Sequence, residues 1–169
     1  MPSVDFRSLP DHGRLWVFPS SRSLNAQESS EVLKEVDRFL EQWTAHGREL
    51  KSGRDLREGR FLLIGVDEAA EVASGCSIDA LVKNLRALGG ELGLSFVDHA
   101  PVWYRSSDGV QSVSRAEFKR MAGKGEVSRQ TLVFDTSLTE VRALRNFGLE
   151  RAAEETWHGK AFFTHAGNS

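Results

Sequence analysis

One cysteine, Cys76, rules out a disulfide within this chain of 169 residues and fits a reducing compartment. No apolar run is long enough to cross a bilayer. The opening stretch MPSVDFRSLPDHGR mixes charges with prolines and lacks the run of about 7 to 15 apolar residues that marks a signal peptide. A cytoplasmic protein without membrane partners is therefore expected. Charge of one sign is not in excess either. Lys+Arg number 22 against 24 Asp+Glu, the net charge is -2 and the pI about 6.2. No global positive field draws phosphate backbones, and nucleic acid is not an expected partner. No two histidines share a helix face at metal-ligand spacing, His158 and His165 read as exposed polar residues, and neither metal nor cofactor is expected. What is present is ordinary for a folded chain, with 40% hydrophobic and 27% charged residues. The length suits one domain with a small appended module.

Periodicity lays out the first part, residues 12–99. Arg14 to Pro19 (RLWVFP) is a short apolar strand closed by proline. Asn25 and Glu28 form a capping box ahead of a helix carrying Val32, Leu33, Val36, Phe39, Leu40 and Trp43 on one face, ending at Gly47. A polar strand over Glu49 to Leu56 turns at Glu58 and Gly59 into a strong apolar strand, Arg60 to Asp67. The next helix places Ile78, Leu81, Val82, Leu85 and Leu88 at helical spacing and stops at Gly89 and Gly90, and Leu94 to Val97 supplies a fourth strand. That order, βαββαβ, is α+β and ferredoxin-like: two helices on one face of a four-stranded antiparallel sheet. A sheet edge of this kind makes a homodimer possible.

Residues 100–165 change in texture. Val102 to Arg105 and Val110 to Val113 flank SSDG, a hairpin turn. Ser114 with Glu117 caps a helix to about Met121, and Thr131 to Phe134 (TLVF) reads as a strand. Trp103 and Tyr104, the polar turn, SRAEFKRM, the Gly-Glu-Val at 125 to 127 and TLVF together resemble the small bacterial GYF-like module over residues 101 to 135, although DTSLTE follows Phe134 where that module carries a tryptophan. The resemblance implies a peptide-binding hairpin. Ser137 with Glu140 then caps a C-terminal helix through Leu138, Val141, Leu144 and Phe147, and Trp157 and Phe162 lie in a tail that docks back.

The whole chain also resembles a family of small uncharacterised bacterial proteins sometimes labelled ABC transporter ATPases, through QWTAHG at 42 to 47, VDE at 66 to 68, SGCSID at 74 to 79, TLVF and TWH at 156 to 158. The label implies ATP hydrolysis, which needs a glycine-rich loop G-x-x-x-x-G-K-[ST] opening a helix. Here Gly123 and Lys124 are followed by Gly125, with no upstream glycine at that distance. LGGE, Leu88 to Glu91, sits at a helix C-terminus, whose negative dipole end repels phosphate. The chain is not expected to be an ATPase.

Two functions of different class follow. The first is a non-enzymatic interaction or adaptor protein that binds a protein or peptide, with Trp103 and Tyr104 on opposite faces of one strand so that one packs inward and the other meets a partner. The second is a small enzyme or redox sensor built on Cys76. A thiol in the first turn of a helix feels the positive end of the helix dipole, which favours thiolate. Ser77, Asp79 and His46, the candidate base, complete the catalytic set. Asp67 and Glu68 end a strand and, with Ser74, Gly75 and Cys76, form a loop placed to contact a ligand. Each has a plain structural alternative: a buried small Cys76, Ser77 as a cap, Asp79 as a dipole partner, and Asp67 and Glu68 as solvated strand-end residues.

Overall fold

The structure, a computed structural model, describes residues 3–163. His165 lies outside the described residues. The fold is α+β, with antiparallel sheets and five α-helices among the described residues. The chain divides into two units. Residues up to Asp98 join Ser137–Asn146 in the first, and His99–Thr136 join residues from Phe147 onward in the second.

The first unit is organised by strand β1 (Arg14–Pro19), helix α1 (Ala26–Gln42), a two-residue-stranded hairpin β2 (Thr44–Ala45) and β3 (Arg48–Glu49), strands β4 (Lys51–Arg57) and β5 (Phe61–Asp67), and helix α2 (Gly75–Leu92). The main sheet runs β1-β5-β4, all antiparallel. Strand β5 is apolar along its length because both of its faces are covered. Leu62, Ile64 and Val66 meet Val32, Val36 and Leu40 of α1 and Leu81, Leu85 and Leu88 of α2. On the opposite face the chain alternates to Phe61, Leu63 and Gly65, and the N-terminal segment packs there. A Cβ on Gly65 would stand 2.5 Å from Leu9 Cδ1, and one on Gly53 would stand 2.8 Å from the Val4 carbonyl and 3.0 Å from Phe6 Cα. Gly53 and Gly65 are cross-strand partners, so together they make the hollow that lets residues 4–9 bury Phe6 and Leu9.

Both helices begin as the sequence indicates. Asn25 and Glu28 complete their capping box, and Ser74 with Ser77 completes another at the start of α2. Their ends differ. Helix α1 stops at Gln42 rather than at Gly47, because residues 44–49 form the small hairpin, whose turn has positive φ at both His46 (54°) and Gly47 (77°), the type I′ geometry. Helix α2 continues through Gly89 and Gly90 to end at Gly93, which is left-handed at φ 70°. Gly89 instead admits the Leu94 carbonyl, which a Cβ would meet at 2.6 Å. Glu58 and Gly59 turn β4 into β5 as expected, each at φ 59°.

The expected fourth strand, Leu94 to Val97, is not a strand, so the main sheet has three strands and not four. The free edge of β1 is occupied at one end from elsewhere: Leu15 N–H donates to the Thr139 carbonyl (2.9 Å), and Arg14 bridges Glu140. Residues 138–140 therefore run extended, and the helix expected from Ser137 begins only at Val141 as α4 (Val141–Phe147). Its first two amides donate to Gly13 and Asp11, and Arg145 pairs with Asp11 at 2.8 Å, so residues 137–146 fold with the first unit.

The second unit holds a hairpin of β6 (Val102–Ser106) and β7 (Gly109–Val113), helix α3 (Arg115–Gly123), strands β8 (Leu132–Phe134) and β9 (Glu150–Ala152), and helix α5 (Trp157–Phe163). The sheet order is β7-β6-β8-β9. Val102, Val133, Phe118 and Met121 of α3, and Phe162 of α5 form its core.

The glycine hollow gives a direct expectation. Gly53→Ala pushes a Cβ against backbone, which cannot rotate away, and should cost about 1–3 kcal/mol. Urea unfolding together with faster proteolysis within residues 3–9 checks it; an unchanged midpoint and an intact N-terminus would refute the close approach.

Candidate functional site

The site is built where α1 ends and α2 begins. Trp43, the C-cap residue of α1, is 3% exposed and its indole Nε1–H donates to the Ser77 carbonyl (2.8 Å). The Ser77 hydroxyl donates back to the Thr44 carbonyl (2.7 Å). Since that hydroxyl's one proton is committed, the 2.7 Å contact between the two serine oxygens has Ser74 as its donor, while Ser74 Oγ accepts the Ser77 amide (3.1 Å). Phe39 and Trp16 pack against Trp43, with ring centroids 5.7 and 6.0 Å away, and the Arg14 guanidinium lies 4.6 Å over Trp16.

Beside this lock lies a cleft of about 530 Å³. Phe39 and Trp43 supply aromatic surface, Thr44, Ser74, Ser77 and Asn84 polar groups, and Glu35, Arg38, Gln42, His46, Cys76 and Ala80 the remaining lining. The structure thus gathers four of the sequence candidates, His46, Ser74, Cys76 and Ser77, in one cavity. Cys76 is exposed in the first turn of α2. Among the described residues no hydrogen bond joins it to His46.

The other candidates lie elsewhere. Asp79 is exposed on α2 and does not line the cleft. Gly75 is the first residue of α2 and likewise is not in the lining. Asp67 accepts from the Ala69 amide (3.0 Å) and faces Lys51 at 3.8 Å. Glu68 accepts from the Ala73 amide (2.9 Å) and faces Arg14 at 3.9 Å. Both carboxylates shape the loop that delivers Ser74 to the helix start. Among the described residues no three His, Cys, Asp or Glu side chains gather to hold a metal ion. In the second unit Trp103 is 2% exposed and Tyr104 is half-buried, its ring 5.8 Å from Phe118. Tyr104 is therefore the one of the pair that faces this unit's core, and Trp103, on the other face of β6, is buried as well.

Sequence reasoning missed Phe39 and Trp43 as site residues, because their helical spacing reads as core, which for Trp43 is also true. A signal for His46 was present: His-Gly after a short strand is a type I′ turn pair in which asparagine is the favoured first residue. His46 holds a left-handed backbone at the cleft wall, and such departures collect at functional positions.

Comparison of the chain with protein-family models, with curated proteins and with solved structures finds no match. The residues themselves carry the functional argument.

Among the described residues no helix is long and apolar enough to cross a membrane.

Two substitutions separate scaffold from site. Ser77→Ala should cost about 1–3 kcal/mol, since it removes the buried hydroxyl that bonds both the Thr44 carbonyl and the Ser74 cap, whereas Cys76→Ser should leave the unfolding midpoint unchanged. His46→Asn should raise stability by about 0.5 kcal/mol by suiting the turn. Denaturant midpoints at constant slope check all three, and a destabilised Cys76→Ser protein would place the thiol in the scaffold.

Proposed function

We propose that this is a non-enzymatic binding protein, an interaction or adaptor protein that takes a protein or peptide partner into the cleft between α1 and α2. The observation that supports it is the make-up of that cleft. An aromatic wall of Phe39 and Trp43 stands beside polar groups from the first turn of α2, and this mixture suits recognition of a side chain with an apolar body and a polar end. Catalysis has less support, because the Ser74 hydroxyl proton is spent on the helix cap and that of Ser77 on the Thr44 carbonyl, and among the described residues the thiol has no hydrogen-bonded base. ATP hydrolysis is not part of this reading. The order β1, α1, β4, β5, α2 with sheet order β1-β5-β4 supports a ferredoxin-like descent for the first unit, short of its last strand. The hairpin, helix and strand from Val102 to Phe134 support a GYF-like one for the second. A cytoplasmic location accords with the single free cysteine.

Ala80 is exposed on α2 and lines the cleft without entering the core. Ala80→Trp should fill the cleft, leave the thermal midpoint within a few degrees and weaken capture of native-cell partners by at least about tenfold. Quantitative pull-down of the variant beside the unaltered protein decides this. Equal recovery of every partner by both proteins would remove the cleft as the binding site.

A second reading, a thiol-based sensor, is favoured by one observation: Cys76 is exposed within the same cavity that His46 lines. In that case Cys76 alkylation in the folded protein should run faster than that of free glutathione at pH 7. A rate equal to or below glutathione's would leave Cys76 as a bystander of the binding site.

A further inference from the structure

Helix α5 closes the second unit and carries a histidine where an apolar residue would be ordinary. His158 is 1% exposed. Its ring stacks on Trp157 with centroids 3.9 Å apart and lies 6.3 Å from Phe162 and 6.5 Å from Phe118 of α3. The polar partner of the ring is Thr156, whose Oγ1 is 2.7 Å from Nδ1. Because that hydroxyl donates to the Ala153 carbonyl (3.0 Å), Nδ1 carries the proton of the neutral ring and is the donor of the pair. The aromatic enclosure supplies no counter-charge. The charged groups that face the ring are Asp135, which follows β8, Arg115 of α3 and Arg151 of β9. Asp135 is already held by Arg151 at 2.5 Å, both side chains largely buried, and Arg115 stands 4.9 Å over the Trp157 ring.

We propose that α5 is an acid-released latch: a proton on His158 is costly in the buried Phe118, Trp157 and Phe162 enclosure, so acidification favours undocking of residues 156–163 from α3, which bares the aromatic face that α5 covers. The helix is suited to local release. It is seven residues long, too short to be stable alone in water, so its order comes from docking. Burial holds the docked imidazole at about 4, well below its ordinary value of 6.5, with Arg115 and Arg151 adding to the depression and Asp135 opposing it. The docked form therefore binds fewer protons than the undocked one. Its stability is complete above about pH 6.5 and is lost as the pH falls toward 4.

Hydrogen exchange of the full chain, corrected for the intrinsic pH dependence of exchange, tests this. Between pH 7.5 and pH 5 the amides of residues 156–163 should lose protection by about 30-fold, the factor set by titration from 6.5 to about 4, while amides of α1 and β5 keep theirs. His158→Phe preserves an aromatic ring without a titrating nitrogen and should remove the loss. His158→Gln, which can still reach Thr156, serves the same purpose if the first variant does not fold. Protection of residues 156–163 that does not change with pH would overturn the proposal. So would an equal loss in α1 and β5, which is global acid unfolding, or a folded variant that keeps the 30-fold loss.

Discussion

The reciprocal bond between Trp43 and Ser77 is the constraint on which the first unit's cleft depends. An indole N–H at the end of one helix reaches a carbonyl in the first turn of the next, and the serine at that carbonyl returns a hydroxyl to the residue after the tryptophan. One buried and one half-buried hydrogen bond are made at once, so a shift of either helix end breaks both. The geometry that follows is specific. Helix α1 must stop at Gln42, residues 44–49 must turn back as a hairpin, and His46 and Cys76 come to line one cavity. Ser77 is better understood through this bond than as a reactive hydroxyl.

A second constraint is the two-sided burial of β5. A strand covered on both faces needs a continuous apolar run, and FLLIGVD supplies it with one gap, Gly65. That gap is where the N-terminal segment presses closest, and the matching gap on the neighbouring strand is Gly53. The sheet is thus three strands wide but three layers deep. Helices α1 and α2 cover one face and residues 4–9 the other, so a small sheet still buries a large share of its apolar surface.

Legibility varied with how local the cause was. Strand β5, the capped starts of α1 and α2 and the turn at Glu58 and Gly59 were readable because their causes lie within a few residues: an apolar run, an Asx or serine cap, a Gly at positive φ. The end of α1 was not readable, since Trp43 continues the helical spacing and only its bond to Ser77, 34 positions on, diverts the chain. Leu94 to Val97 has strand-like composition, yet Thr139 and Glu140 take part of the edge it was expected to fill, and the helix expected from Ser137 starts only at Val141 because Thr139 and Glu140 pair with β1. Of the candidate site, the segment from Ser74 to Ser77 was legible as a helix start with a cysteine. Asp67 and Glu68 were legible as strand-end carboxylates, but the Ala69 and Ala73 amides that they accept were not, because the loop between β5 and α2 has no periodic signal.

By itself the sequence determined an α+β chain, its strand and helix starts, and the placement of the single thiol on a helix's first turn, since these rest on short-range sterics, capping and periodicity. Tertiary structure alone decided that Trp103 is buried, that residues 137–146 join the first unit, and that His46 shares a cavity with Cys76. The same is true of His158, which reads as an exposed polar residue and is instead enclosed by aromatic rings. Each of these depends on which distant surface an element meets, and the free energy of that meeting comes from contacts between residues far apart in the chain.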